Sequence, residues 1–346
     1  MRKWIFATLV ALLVLSLVIV GCGPSVPEGC QSGDLKVGMV SDVGGIDDAS
    51  FNENTWAGLQ RADEELAVCS QFIESQAQAD YEKNITEFAE QNYDMIITVG
   101  FLLGDATQKM AEQYTNIKFG IIDYAYDPPI PNVAGIVFNV DEAAFPIGYL
   151  AAGWAELKDP ADPQVGYVGG MQIPPVEQFI VAYEAGVAYY NQQKGSNVQV
   201  KGVYVGDFEA PDQGKIQGNS LIDEGVDVIF GVGGKTGNGG LTAAKERGKW
   251  GVGVDVDQYF TLPNEKDILI TSCMKRLDNA VYSVVDSTLQ GNFPGGSVYV
   301  GTLENGGVGL APYHDFENEI PDSLKQEVDT IVQGIKAGTI DTGWTG

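Results

Sequence analysis

Histidine is almost missing from this chain: His314 is the single one in 346 residues. Its scarcity removes Ser-His-Asp triads, Cys-His dyads and histidine-rich metal sites together. No GxSxG run occurs, and no GxGxxG run that would cradle a dinucleotide. Gly234-Lys235-Thr236 has the tail of a phosphate-binding loop, but the leading glycine that motif needs is Ile229. Asp255 and Asp257 lack the further acid and glycine of an EF-hand. The four cysteines include no CxxC pair, which excludes zinc ribbons and thioredoxin-like redox chemistry. Little is left from which to build an enzyme, and no cofactor is expected. The carboxylate pair Asp47–Asp48 is read as loop structure, since paired acids in an acid-rich chain are most often solvated.

Positive charge is also scarce. Lysine and arginine total 20 against 47 acids, a formal net charge of −27. Such a surface repels nucleic acid and anionic lipid. It keeps the protein soluble and argues against an anionic ligand, although a local site can override the net field.

Only one run is long and apolar. Arg2 and Lys3 precede an apolar stretch, Trp4 to Val20, and Gly21-Cys22 closes it. That is a signal-peptide pattern ending in a lipobox-like small residue before cysteine. It implies cleavage before Cys22 and lipidation of that residue; an uncleaved anchor helix is the other reading. Gly23 to Gly33 then forms a polar, proline-containing tether. Losing two bases leaves 47 acids against 18 bases, so −29. Export permits disulfides. Cys30 precedes the first expected strand and Cys69 the second. Starts of neighbouring parallel strands lie close, so a Cys30–Cys69 bridge is a candidate. Cys273 reads as a small buried hydrophobe.

The rest alternates strand and helix, which argues for parallel sheets flanked by helices. Strands are expected at 36–41, 71–75, 95–99, 118–122 and 133–138, with helices at 52–68, 81–91 and 105–114. A helix at 141–157 leads into a second alternating run, with strands at 165–169, 199–205, 228–232 and 251–254 and helices at 175–192, 212–223 and 242–247. The C-terminal third reads as strand 268–274, helix 276–289, strand 297–302 and helix 321–337. About 320 residues suit two lobes. The expected division is 1–22 signal, 23–34 tether, 35–140 plus 270–292 as the first lobe, and 141–269 plus 293–346 as the second.

In open α/β sheets ligands bind beyond the carboxyl ends of the strands. Asp42 sits just past the first strand, and Gly44 and Gly45 let the backbone turn. Ser50 reads as the N-cap of the next helix, with Glu53 completing a capping box. That brings Asp42, Phe51 and Asn52 to one edge: an acceptor, a flat ring and an amide. Gly100-Phe101, Asp123, Gly233-Gly234, Asp255 and Lys275 also follow strands. Asp123 and Asp257 have the alternative of capping the helices after them.

These segments carry a family resemblance. DVGGIDDASFN at 42–52, GFLLGDA at 100–106, GGKTGNGG at 233–240, GVDVDQ at 253–258, TSCMKRLDNAVY at 271–282 and GGVGLAPY at 306–313 resemble the basic membrane protein family. These are lipoprotein substrate-binding subunits of ABC transporters, and they include a purine nucleoside receptor. The resemblance implies a type I periplasmic-binding-protein fold, two Rossmann-like lobes joined by hinge crossovers. It implies a lipid-anchored monomer on the extracytoplasmic face of the membrane that hands nucleosides to a permease. Phe51 matches one stacking ring and Phe179 the second. Asp42 and Asn52 match positions at the base edge, and Asp123, Gly233, Gly234, Asp255 and Lys275 match positions near the ribose. Riboflavin, a sugar, or sensing without transport are the alternatives. GVGGKTGNGG is longer than the family's usual turn. Its added Lys235 reads either as a surface residue or as a ligand or hinge contact.

Overall fold

The computed structural model describes residues 30–346. The signal-like run and Cys22 lie outside the described residues. Among the described residues no helix is long and apolar enough to cross a membrane.

The chain runs β1 (Leu35–Val40), α1 (Phe51–Glu65), β2 (Val68–Ile73), α2 (Tyr81–Glu90), β3 (Met95–Thr98), α3 (Gly104–Gln113), β4 (Lys118–Ile122) and β5 (Val133–Phe138). It continues through α4 (Asp141–Lys158), β6 (Gln164–Gly169), α5 (Pro174–Lys194), β7 (Gln199–Tyr204), α6 (Pro211–Asp223), β8 (Val228–Val232), α7 (Gly234–Glu246) and β9 (Trp250–Asp255). Then come α8 (Gln258–Thr261), β10 (Leu269–Lys275), α9 (Leu277–Leu289), β11 (Val298–Gly301), β12 (Val308–Leu310) and α10 (Asp322–Lys336).

Two six-stranded sheets result, ordered β11-β5-β4-β3-β1-β2 and β12-β10-β9-β8-β6-β7. All pairings are parallel except β10 with β12. The inner strands β3, β5 and β8 are almost entirely buried and almost entirely apolar, as strands covered on both faces must be. One apolar cluster packs under α2 and α3, another under α6 and α7, and the largest runs between the sheets around α4 and α5. In each sheet the strand order reverses beside the earliest strand, between β1 and β3 and between β6 and β8. Those two reversals open the crevices in which such sheets bind ligands.

The expected division of the C-terminal third is corrected. β10 pairs with β9 in the second sheet, and β11 pairs with β5 in the first. α9 sits where it was expected, on α1, and a Cβ on Gly58 would meet the Asp278 carbonyl at 2.6 Å; β12 and α10 also fall in the expected second lobe. The chain therefore passes between sheets after β5, after β10 and after β11. Which sheet a strand joins is set by pairing with segments far away in the chain, and nothing in the run of β10 or β11 itself specifies it.

Other boundaries move for physical reasons. α1 stops at Glu65, because Leu66 is already extended and the polar edge strand β2 begins at Val68. α7 begins at Gly234, eight residues before the expected start at Thr242. Its glycines are packing surfaces: a Cβ on Gly239 would strike the Pro211 carbonyl at 2.1 Å, where α6 crosses. Cys30 and Cys69 are bridged, with Cα atoms 5.6 Å apart, and Cys273 is free and buried.

Candidate functional site

The loop from Asp42 to Ser50 is built by Asp48, not Ser50. Asp48 is 1% exposed and accepts the backbone N–H groups of Ser50, Asn52 and Glu53 at 3.0, 2.8 and 3.1 Å. These are orphan donors at the start of α1, so Asp48 is the functional cap. Ser50 makes no side-chain cap bond, its hydroxyl has no partner, and the expected capping box does not form. Burial pushes the Asp48 carboxyl up to about 6, although the N–H groups pull the other way.

Asn52 is also committed to this loop. Its Oδ1 accepts the Asp42 N–H at 3.0 Å, and its Nδ2 donates to Asp48 at 3.0 Å. It lines the cavity and also holds the loop with both ends of its amide. Asp42 is 5% exposed. Its Oδ1 accepts the Tyr81 hydroxyl at 2.5 Å and the Val43 N–H at 2.7 Å. Burial raises its carboxyl to about 7 against the pull of those two bonds.

The floor comes from three strand ends on both sheets. Asp123 follows β4, Asp255 ends β9 and Lys275 ends β10. Lys275 Nζ donates to Asp123 Oδ2 at 2.5 Å, and both side chains are under 10% exposed (3% and 8%). Its ammonium also lies 4.9 Å from the Phe51 ring centre and 5.3 Å from that of Phe138. Asp255 accepts no hydrogen bond among the described residues. Burial lifts its carboxyl to about 7 even though Lys275 lowers it. Asp123 and Asp255 both have left-handed backbone, with φ of 60° and 64°. Such strain costs about 1–3 kcal/mol per residue and concentrates at ligand sites.

Around these groups lies one cavity, partly open to solvent, with about 60 Å³ accessible to the centre of a water molecule. All ten residues expected at the ligand line it: Asp42, Phe51, Asn52, Phe101, Asp123, Phe179, Gly233, Gly234, Asp255 and Lys275. Asp257 does not; it pairs with His314 at 2.7 Å. Reasoning from sequence missed Phe208, which lines the cavity from the loop after β7. The signal was available, since Gly206-Asp207-Phe208 also follows a strand. Phe51 and Phe208 are half-buried, whereas Phe179 is only 3% exposed and packs edge-on against Phe230. Gly233 cannot be replaced: its φ is 143°, and a Cβ there would lie 2.4 Å from the Gly170 nitrogen.

The two lobes are tied over this cavity. Asn238 of α7 donates to the Asp48 carbonyl at 2.9 Å. Gln258 and Thr261 of α8 donate to the Ala49 carbonyl at 3.2 and 2.8 Å. Lys235, in the first turn of α7, bridges Asp47 of the first lobe and Glu209 of the second at 2.7 and 3.1 Å. The added lysine is therefore a contact between lobes.

The family model for PnrA-like ABC transporter substrate-binding proteins, Bmp, matches residues 35–341. The chain belongs to the Bmp family. The Bmp relatives include the ABC transporter nucleoside-binding protein BmpA of Lactococcus lactis, 30% identical over 96% of this chain and 98% of that one. An uncharacterised lipoprotein of Pyrococcus horikoshii is 31% identical over 94% of this chain and 82% of its own length. A solved ABC transporter solute-binding protein from Aeropyrum pernix is 32% identical, with a TM-score of 0.83 over 89% of this chain and 92% of that one. The Bmp chain thus has the two-lobed fold of transporter solute-binding proteins, with its cavity where their lobes meet.

Proposed function

We propose that this protein is a lipid-anchored, monomeric receptor on the extracytoplasmic face of the membrane. It captures nucleosides, purines foremost, and delivers them to an ABC transporter permease. The observation that carries the ligand class is Asp255: a buried carboxylate without a hydrogen-bond partner, opening into an aromatic-lined cavity beside the Lys275–Asp123 pair. A buried acceptor in that position requires donors, and vicinal ribose hydroxyls supply two. Phe51 and Phe208 reach the cavity from opposite lobes, and their half-buried rings suit a flat base.

The cavity favours neutral ligands. Asp42, Asp48, Asp123 and Asp255 line it, and Lys275 is the only basic residue that does among the described residues. A phosphate would face those carboxylates with one lysine already bonded. Gly21-Cys22 and the lipoprotein name carried by the Pyrococcus relative support the anchor. Mass spectrometry of small molecules released by denaturing the purified protein tests the ligand class. A nucleoside in stoichiometric amount supports the proposal; riboflavin or a free sugar in its place overturns it.

A further inference from the structure

The two oxygens of Asp42 have different surroundings. Oδ1 is saturated by the protein, taking the Tyr81 hydroxyl and the Val43 N–H. Oδ2 has no donor among the described residues. The space beside it is open only because residue 100 is glycine: a Cβ there would lie 2.5 Å from Oδ2, and Gly100 has a φ of 115°. Asp42 lines the cavity, and Oδ2 is the oxygen left free to bond a ligand. Tyr81 does not line the cavity and is 2% exposed; it acts only through Asp42.

An oxygen in this position has two faces. As carboxylate it accepts a hydrogen. As neutral carboxyl, with Oδ1 already occupied by two donors, it carries the proton and donates it. The groups around it are nearly balanced. Burial and the acids Asp123 and Asp48 favour the neutral form, while Tyr81 and the Val43 N–H favour the anion. Asn52 of α1 touches only the Asp42 backbone N–H, and Asp80 is the acid beside Tyr81.

We infer that Tyr81 sets which hydrogen-bonding face Asp42 turns to the ligand, so that the choice between a lactam base and an amino base changes with pH. This rests on the nucleoside reading above. A lactam base such as hypoxanthine offers a ring N–H and needs the anion. Adenine offers a bare ring nitrogen at the same place and needs the neutral acid. Lowering the pH therefore weakens inosine and strengthens adenosine. Asp255 also titrates, but it acts on both ligands alike and cancels in the ratio of the two dissociation constants; Asp48 biases Asp42 itself and acts on the ratio through that same group.

The test is calorimetric titration with inosine and with adenosine from about pH 5.5 to about pH 8, a window that spans the Asp42 carboxyl. In the native protein the ratio of the inosine Kd to the adenosine Kd should rise at least about tenfold on acidification. Tyr81→Phe removes a bond that favours the anion, so the midpoint should move up by about one pH unit. Asp42→Asn should leave the ratio flat with pH. A flat ratio in the native protein overturns the inference, as does an unmoved midpoint in Tyr81→Phe. If Tyr81→Phe does not fold, the native and Asp42→Asn profiles still decide whether Asp42 carries the pH dependence. Binding of neither nucleoside at any pH sinks the nucleoside reading itself, a different result from equal binding of both.

Discussion

Lys275 of the second lobe and Asp123 of the first are joined at 2.5 Å beneath the cavity. The pair is nearly dry, and Asp255 feels the same lysine but has no hydrogen-bond partner among the described residues. One lysine thus balances two acids and ties the lobes.

Removing that lysine should be costly twice over. Breaking a buried pair from one side costs about 3–5 kcal/mol, because the remaining charge stays buried. Lys275→Met should lower Tm by several degrees and weaken ligand binding by about 100-fold or more. Thermal denaturation with and without ligand separates the two effects. Unchanged binding in a destabilised variant would remove Lys275 from the site.

The acids predict an unusual pH profile. Asp42, Asp48 and Asp255 have folded values near 7, 6 and 7, all above the unfolded value of 3.8. A group raised on folding contributes stability that is complete below the unfolded value and lost as pH rises through the folded one. Ligand-free protein should therefore be more stable at about pH 5 than at about pH 8. Asp255→Asn should remove part of that slope and raise stability at the higher pH by on the order of 1–4 kcal/mol, while weakening the ligand. Melting curves across the range check this. A variant that loses stability and keeps its affinity would contradict it.

The three phenylalanines should separate into two kinds. Stacking on an aromatic is worth about 1–3 kcal/mol per base, so Phe51→Ala and Phe208→Ala should each weaken binding about tenfold or more with little loss of Tm. Phe179→Ala truncates a core side chain and should cost about 3–5 kcal/mol of stability. Equal effects from all three on Tm and affinity would refute the division.

Much of this was legible before the structure. Most candidate ligand residues end a strand or lie in the loop or helix start that follows one, and parallel sheets put those ends on one edge; Phe179, inside α5, is the exception. Side-chain commitments were not legible. Asn52 belongs to the loop and Asp48 replaces Ser50 as cap, because which neighbour takes a given N–H depends on the turn at Gly44-Gly45. Phe208 was passed over although it follows the edge strand β7 as the other candidates follow theirs. GKTGNGG looks like a loop until the close approach of α6 shows why those helix positions must lack side chains. The sheets joined by β10 and β11 depend on long-range pairing that local pattern does not encode.

Lys235 gives the rim its own test. A cation in the first turn of a helix opposes the helix dipole, a local cost of about 0.3–1 kcal/mol that the contacts with Asp47 and Glu209 offset. The site is partly exposed, so the latch is worth at most about 1 kcal/mol and is weakened by salt. Lys235→Gln should speed ligand release a few-fold at low salt and change it little at high salt. Stopped-flow dissociation at two ionic strengths measures this; equal release rates in variant and native protein at low salt would exclude a latch.

The most direct measurement is calorimetric titration of the ligand-free protein with inosine, guanosine, adenosine, cytidine, ribose and riboflavin at neutral pH. The account predicts one site per chain, tighter binding of purine nucleosides than of cytidine, and no measurable binding of ribose alone, since the base supplies the stacking. Saturable binding of ribose or riboflavin with none of any nucleoside would contradict it.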